Sequence, residues 1–196
     1  MRKWLGGLCV FLGALCILSA VGLAVYNRWE DAQADTLAQG LLADVQSKIK
    51  APQLPDDTQR ASAEMATVTV DGYDCIGILS IPVLELELPV LADWSYAKLK
   101  KAPCHYYGTY YEKDFVIAAH NYRTHFGRLS QLQVGDLVVF TDATGAEHYY
   151  DVVLLETLPE KATQEMITSG FDLSLYTCTP GGASRVTVRC NGISGA

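Results

Sequence analysis

The spacing of apolar residues changes twice along the chain. Residues 4–27, WLGGLCVFLGALCILSAVGLAVYN, contain no charged side chain. At ~1.5 Å per residue, a helix of this length reaches roughly 35 Å, enough to cross a hydrocarbon layer of about 30 Å. A cleaved signal peptide has an apolar region of about 7–15 residues. The longer run here favours an uncleaved anchor over cleavage near Gly22-Leu23-Ala24. Arg2 and Lys3 precede the run, and Glu30 and Asp31 follow it. Basic flanks stay on the cytoplasmic side. The reading is a single-pass anchor over residues 1–27, with the N-terminus cytoplasmic and the remainder extracellular.

The second pattern is helical. Over residues 29–50, Leu37, Leu41, Val45 and Ile49 recur every four positions, with Ala34, Ala38 and Leu42 beside them. That period predicts an amphipathic helix. Acids at its start and Lys48 and Lys50 near its end complement the helix dipole. Pro52 and Pro55 stop it, and residues 51–65 read as a linker. Residues 28–65 are thus expected to be a helical stalk and linker.

The third pattern begins near Thr67 and belongs to strands. Candidates are 67–70, 75–81, 85–91, 115–119, 136–141, 147–157, 173–178 and 185–190. Gly, Asp and Pro clusters separate them, and Asp142-Ala143-Thr144-Gly145 reads as a hairpin turn. Short segments at 93–101, 126–132 and 160–169 are candidate helices. Eight short strands with few helices imply a mainly β domain over residues 66–196, a closed barrel or a sandwich.

Composition narrows the function. The 196 residues are 49% hydrophobic, and the membrane run accounts for the excess. Net charge is −7. The first 26 residues hold two bases and no acid, so the exterior part is more acidic than the whole. An acidic domain argues against a nucleic-acid partner. Cys9 and Cys16 lie in the apolar run as small apolar side chains. Cys75, Cys104, Cys178 and Cys190 lie outside it and could form up to two disulfides. The absence of a CxxC pair speaks against zinc or thioredoxin-type chemistry, and no cofactor is expected.

One thiol stands apart. Cys178 ends the apolar strand 173–178, the loop Thr179-Pro180-Gly181-Gly182 follows, and Arg185 opens the next alternating strand. An antiparallel hairpin would bring Arg185 close to Cys178, where a guanidinium lowers a thiol pKa and can bind an oxyanion. Cys190 would then lie roughly 16 Å along the second strand, too far for a disulfide to Cys178. His120 ends the apolar strand 115–119 as Cys178 ends its own. Of the other histidines, His105 reads as packing in an aromatic loop, His125 as a solvated turn and His148 as surface. Thr177 alternates away from Cys178 and reads as support for the strand end. Glu112, Asp114, Glu160 and Glu165 lack the spacing of a calcium loop and read as a solvated face.

These residues resemble the sortase family. Ser174-Leu-Tyr-Thr-Cys178 resembles its Thr-Leu-x-Thr-Cys signature. Ile117-Ala-Ala-His120-Asn, Phe126-Gly-Arg-Leu129 and Leu132-Gln-Val-Gly-Asp136 resemble the segment with its catalytic histidine. Arg185-Val-Thr-Val-Arg189 resembles the strand opened by its catalytic arginine. Ser174 replaces the family's Thr, and Ala119 stands where Gly is frequent. The resemblance spans roughly residues 75–191. It implies a closed eight-stranded β-barrel and a thiol transpeptidase of Gram-positive bacteria, tethered to the cell membrane. Such enzymes cut a sorting motif of secreted surface proteins through a thioester. They pass the acyl group to an amine of a cell-wall precursor or a pilin. The resemblance makes Cys178 the nucleophile, His120 the general acid and base, and Arg185 the oxyanion residue, with Arg189 the rival arginine. It also suggests that the loop over about 158–172 carries substrate choice. Two other readings remain: a different extracellular Cys–His hydrolase or transpeptidase, and a non-enzymatic tethered binding domain whose cysteines are paired.

Overall fold

The computed structural model describes residues 2–49 and 64–193. Most of the expected linker over 51–65 lies outside the described residues, as does the side chain of Cys9. The chain divides into two compact units, Met1–Gln33 and Ala34–Ala196. In the first, the helix α1 (Arg2–Lys48) begins. Its large apolar side chains from Leu8 to Val25 are exposed, and it is long and apolar enough to cross a membrane. No proline lies within residues 2–48, so nothing interrupts the amide ladder.

In the second unit, the last turns of α1 bury Ala34, Ala38, Leu41, Leu42 and Val45. Leu37, expected on the buried stripe, is 45% exposed instead. The buried face is therefore rotated toward the alanines, which let the helix approach closely. Each buried Leu or Val stabilises this packing by about 1.5–3 kcal/mol.

Among the described residues nine strands follow: β1 (Val68–Val70), β2 (Tyr73–Ile81), β3 (Leu86–Leu91), β4 (Cys104–Tyr107), β5 (Phe115–Ala118), β6 (Leu137–Asp142), β7 (Glu147–Pro159), β8 (Leu173–Cys178) and β9 (Ser184–Gly192). Short helices α2 (Tyr96–Leu99) and α3 (Thr163–Ile167) sit in the connections. The sheet order is β1-β2-β3-β4-β5-β8-β9-β7-β6, and β6 pairs back onto β2. That last pairing closes a mainly β, eight-stranded barrel.

The closed ring has the eight strands the sequence reading expected, but its membership differs and a ninth strand lies outside it. Val68–Val70 pairs only with the start of β2, alongside the ring. The missing ring member is Cys104–Tyr107, which the sequence presented as an aromatic loop. It bridges β3, in parallel at Leu91–Cys104, and β5, antiparallel. At four residues with a bulge, it is too short to show a period.

Closure depends on Gly77. Its φ is +156°, and a Cβ there would lie 2.2 Å from the Thr141 carbonyl oxygen. The strands β2 and β6 can approach only because that atom is missing. The interior is filled by Leu79, Leu88, Phe115, Ile117, Phe140, Leu175 and Val188 among others. A second cluster joins Leu41, Leu42 and Val45 of α1 to Cys75, Ile78, Leu91 and Cys104 of the barrel wall. Apolar cover on both faces explains why β2 reads as an almost continuous apolar run.

Candidate active site

Three adjacent strands bring the candidate residues together. The strands β8 and β9 pair antiparallel, and Cys178 lies directly opposite Arg185. Opposed residues of such a pair project to the same face. The connecting turn is set by sequence: the Gly182 amide donates to the Thr179 carbonyl at 2.8 Å, and Gly181 has φ +84°. Pro at the second and Gly at the third position is the requirement of a type II turn. The Thr179 amide and the Ser184 carbonyl close the loop at 2.9 Å.

On the other side of β8 lies β5, parallel, with Ala118 opposite Tyr176. Pairing continues past the ladder. The Ala119 amide donates to the Tyr176 carbonyl at 3.2 Å, and the Thr177 hydroxyl donates to the Ala119 carbonyl at 2.8 Å. Thr177 is 3% exposed, which agrees with its reading as support for the strand end. This register carries the chain toward His120 at the level of Cys178.

His120, Cys178 and Arg185 line one groove of about 160 Å³. Its walls are largely apolar. Trp94 and Tyr106 meet at 5.5 Å, and Tyr106 meets Tyr176 edge-on at 5.4 Å. Tyr96 adds a further ring against Trp94. The sequence signal for this wall is the aromatic pair in Asp93-Trp94-Ser95-Tyr96, which carries no titratable pattern of a reactive group. The loop after β7 adds Glu160, Ala162, Thr163 and Met166. An apolar wall beside a thiol suits an extended peptide with apolar side chains.

The five described cysteines are free. Burial pushes the Cys75 thiol up to about 11, and those of Cys104 and Cys190 to about 12. A desolvated thiolate is disfavoured, so these three are poor nucleophiles. Cys178 is only partly buried. Arg185 donates through Nη1 to the Gly182 and Ser184 carbonyls, at 2.8 and 3.1 Å. Its Nη2 lies 3.9 Å from Glu160. These contacts hold the guanidinium at the mouth of the loop. Arg189, four residues on, pairs with Ser174 in the ladder and lines no part of the groove.

Several sequence readings need correction. His125 is not a solvated turn: it is fully buried. The His120 ring stacks on Tyr122 at 4.9 Å, and Tyr122 meets His125 edge-on at 5.5 Å. Burial, then the nearby His120 charge, lowers the His125 pKa to about 4. His148 is not surface either. It lies 3.0 Å from the fully buried Asp142. Burial pushes the Asp142 carboxyl up, but hydrogen bonds from His148, Thr144 and Ala146 outweigh it and hold the carboxyl low. His105 belongs to β4, with its ring nitrogens against the Ala92 and Gly108 carbonyls. Asp114 is no solvated carboxylate, since its Oδ1 accepts from the Ser169 amide and hydroxyl and the Gly170 amide.

Comparison with known proteins completes the description. A family model described as a Sortase domain matches residues 79–192, more than half of the chain. No curated protein sequence matches. Among solved structures, the chain is similar to a Sortase D5 transpeptidase of Clostridium perfringens. The TM-score is 0.62 at 18% identity, covering 81% of this chain and 99% of that one. It is similar to sortase C of Streptococcus pneumoniae, with TM-score 0.56 and 23% identity over 85% and 89% of the two chains. It is also similar to sortase A of Corynebacterium diphtheriae, with TM-score 0.56 and 20% identity over 85% of each.

Proposed function

The chain belongs to the sortase family, and from that premise we propose that it is a membrane-anchored cysteine transpeptidase of the Gram-positive cell surface. One observation carries the reading. The partly exposed thiol of Cys178 lies across the ladder from Arg185, in a groove that His120 also lines. The other three barrel cysteines are buried and free, which removes the support for a disulfide-stapled binding module.

The proposed chemistry follows from the residue types. The Cys178 thiolate attacks the scissile carbonyl of a sorting-motif peptide and forms a C–S bond and a tetrahedral oxyanion. Arg185 and backbone amides stabilise that charge. The C–N bond breaks as the His120 imidazolium protonates the leaving amine. A thioester remains on Cys178. An amine of a cell-wall precursor or a pilin then attacks it, His120 takes the amine proton, and the C–S bond breaks. Only enzyme holding thiolate and imidazolium together reacts, so turnover is slow. The apolar helix holds the enzyme at the membrane where secreted substrates emerge, with its N-terminus cytoplasmic.

The test uses the full chain in micelles, a library of sorting-motif peptides and amine acceptors. Mass spectrometry should find a peptide acyl group on Cys178 and, after amine addition, a new amide. Absence of the acyl-enzyme would remove the reading. Release of free acid alone would make the chain a hydrolase.

A further inference from the structure

Arg189 is 1% exposed, a cation removed from water in the barrel wall. Such a group is tolerated only where its donors are met. Its Nε donates to Glu156 at 2.7 Å, and Nη1 donates to the Ser174 hydroxyl at 2.8 Å. The remaining partners belong to the loop between β7 and β8. Nη2 donates to the Glu165 carbonyl at 2.7 Å and Nη1 to the Met166 carbonyl at 3.4 Å. The guanidinium also lies 5.8 Å from the centre of the Phe171 ring. Glu165 and Met166 sit in the last turn of α3, where carbonyls lack intrahelical partners and the helix dipole favours a cation.

That loop forms one wall of the groove, through Ala162, Thr163 and Met166. A five-residue helix has no stability of its own, so its position must come from anchors. Asp114 fixes the far end at Ser169 and Gly170. Arg189 fixes the middle. The geometry points to Arg189 as a positioning residue: it clamps the loop to the barrel and so sets how tightly the groove holds the peptide, without touching the reacting atoms. Ser174, the first residue of the signature, belongs to the same clamp. The inference rests on the transpeptidase reading for its kinetic consequence, but its structural consequence can be read without any activity.

The test measures peptide kinetics and amide hydrogen exchange on the full chain in micelles. The probe is whichever library peptide the wild-type chain cleaves best. Arg189→Met should raise KM about tenfold and leave kcat within about threefold, the mark of lost binding rather than lost chemistry. Exchange over residues 163–168 should quicken about a hundredfold, while β5 and β8 keep their protection. Arg189→Lys should fall between, because one ammonium cannot reproduce the fork. Ser174→Ala should shift both readouts the same way by a few-fold, and it decides the matter alone if Arg189→Met does not fold. Wild-type exchange in the loop, or a loss confined to kcat, would overturn the inference. If the wild-type chain cleaves no peptide, the transpeptidase reading fails while the exchange result still decides whether the clamp exists.

Discussion

The rim of the barrel and its interior hold the same kinds of residue in opposite circumstances. Cys178 and Cys190 both lie in the β8–β9 ladder, but one is partly exposed opposite Arg185 and the other is buried opposite Leu173. Arg185 is half-buried at the groove, whereas Arg189 is enclosed with every contact made to protein. His120 lines the groove, and five residues later His125 is sealed beneath Tyr122. Residue type therefore does not separate chemistry from architecture. For the thiols and the arginines, position along the β8–β9 ladder does: the residue at the hairpin end meets a cavity, and the one further along β9 meets the core; His125 instead lies in the turn after β5, folded inward. Burial then makes the inner copy unreactive by penalising its charged form, or holds it in a network that leaves no donor for substrate.

The sharpest way to break this contrast is to exchange the thiols' fates. Cys178→Ala should lower peptide turnover at least about 10³-fold, as loss of a nucleophile does. Cys190→Ala should keep turnover within about threefold and cost about 1–2 kcal/mol from the small cavity left behind. Equal losses in the two variants, measured with one peptide, would erase the distinction. Arg185→Ala comes next. With Arg185 in its proposed role as oxyanion donor, its removal should lower kcat by about 10²–10³, far more than any change at Arg189. Comparable kcat losses at both arginines would mean that the two ends of β9 are not functionally different.

How much of this contrast the sequence carried depends on the element. The strand 173–178 and its turn were legible to the residue, because an apolar run, Pro-Gly-Gly and an alternating strand leave one hairpin register. The pairing of Cys178 with Arg185 followed from it. The helix α1 was legible as a period, although its buried face turned out to centre on Ala34 and Ala38 rather than Leu37. Strand β4 was not legible, since four residues interrupted by a bulge are too few to show a period, and its bridge to β3 is a single parallel pair. The buried histidines were missed for a related reason. His125 sits among Arg123, Thr124 and Arg128, a polar stretch that gives no sign of folding inward under Tyr122. His148 gains its partner only when the hairpin brings Asp142 within 3.0 Å. In the loop over 160–172 the short helix α3 falls within the candidate segment 160–169, but the hydrogen bonds to Arg189 and Asp114 come from distant parts of the chain and leave no local pattern.

The histidine pair yields a smaller, pH-dependent effect. His125 has its pKa lowered from 6.5 to about 4 by burial and by the charge on His120. An unfolded chain protonates this ring from about pH 6.5 downward, while the folded chain resists until about pH 4. More protons on the unfolded state means that stability falls as the pH drops through that window. The contribution present above pH 6.5 is about 3 kcal/mol. His125→Leu should remove this part of the slope. Chemical unfolding of the full chain in micelles, wild type against variant at about pH 7.5 and about pH 4.5, checks it. An unchanged difference between the two pH values would show that His125 is not held neutral.

The smallest expected effect is at the boundary between the two regions. Thr177 alternates with Cys178, so the same strand end that presents the thiol outward turns this hydroxyl inward, onto the Ala119 carbonyl. Thr177→Val keeps the shape and removes the donor. A buried carbonyl left without its partner costs about 1–3 kcal/mol, and the adjoining His120 loses its nearest fixed point on β8. Turnover should fall only a few-fold, with kcat affected more than KM, because the imidazole drifts while the peptide wall stays intact. Thr177→Ser restores the donor and should return kcat to near the wild-type value. If serine rescues stability but not kcat, the hydroxyl serves the core alone, and the strand end that carries the thiol does not also position the histidine.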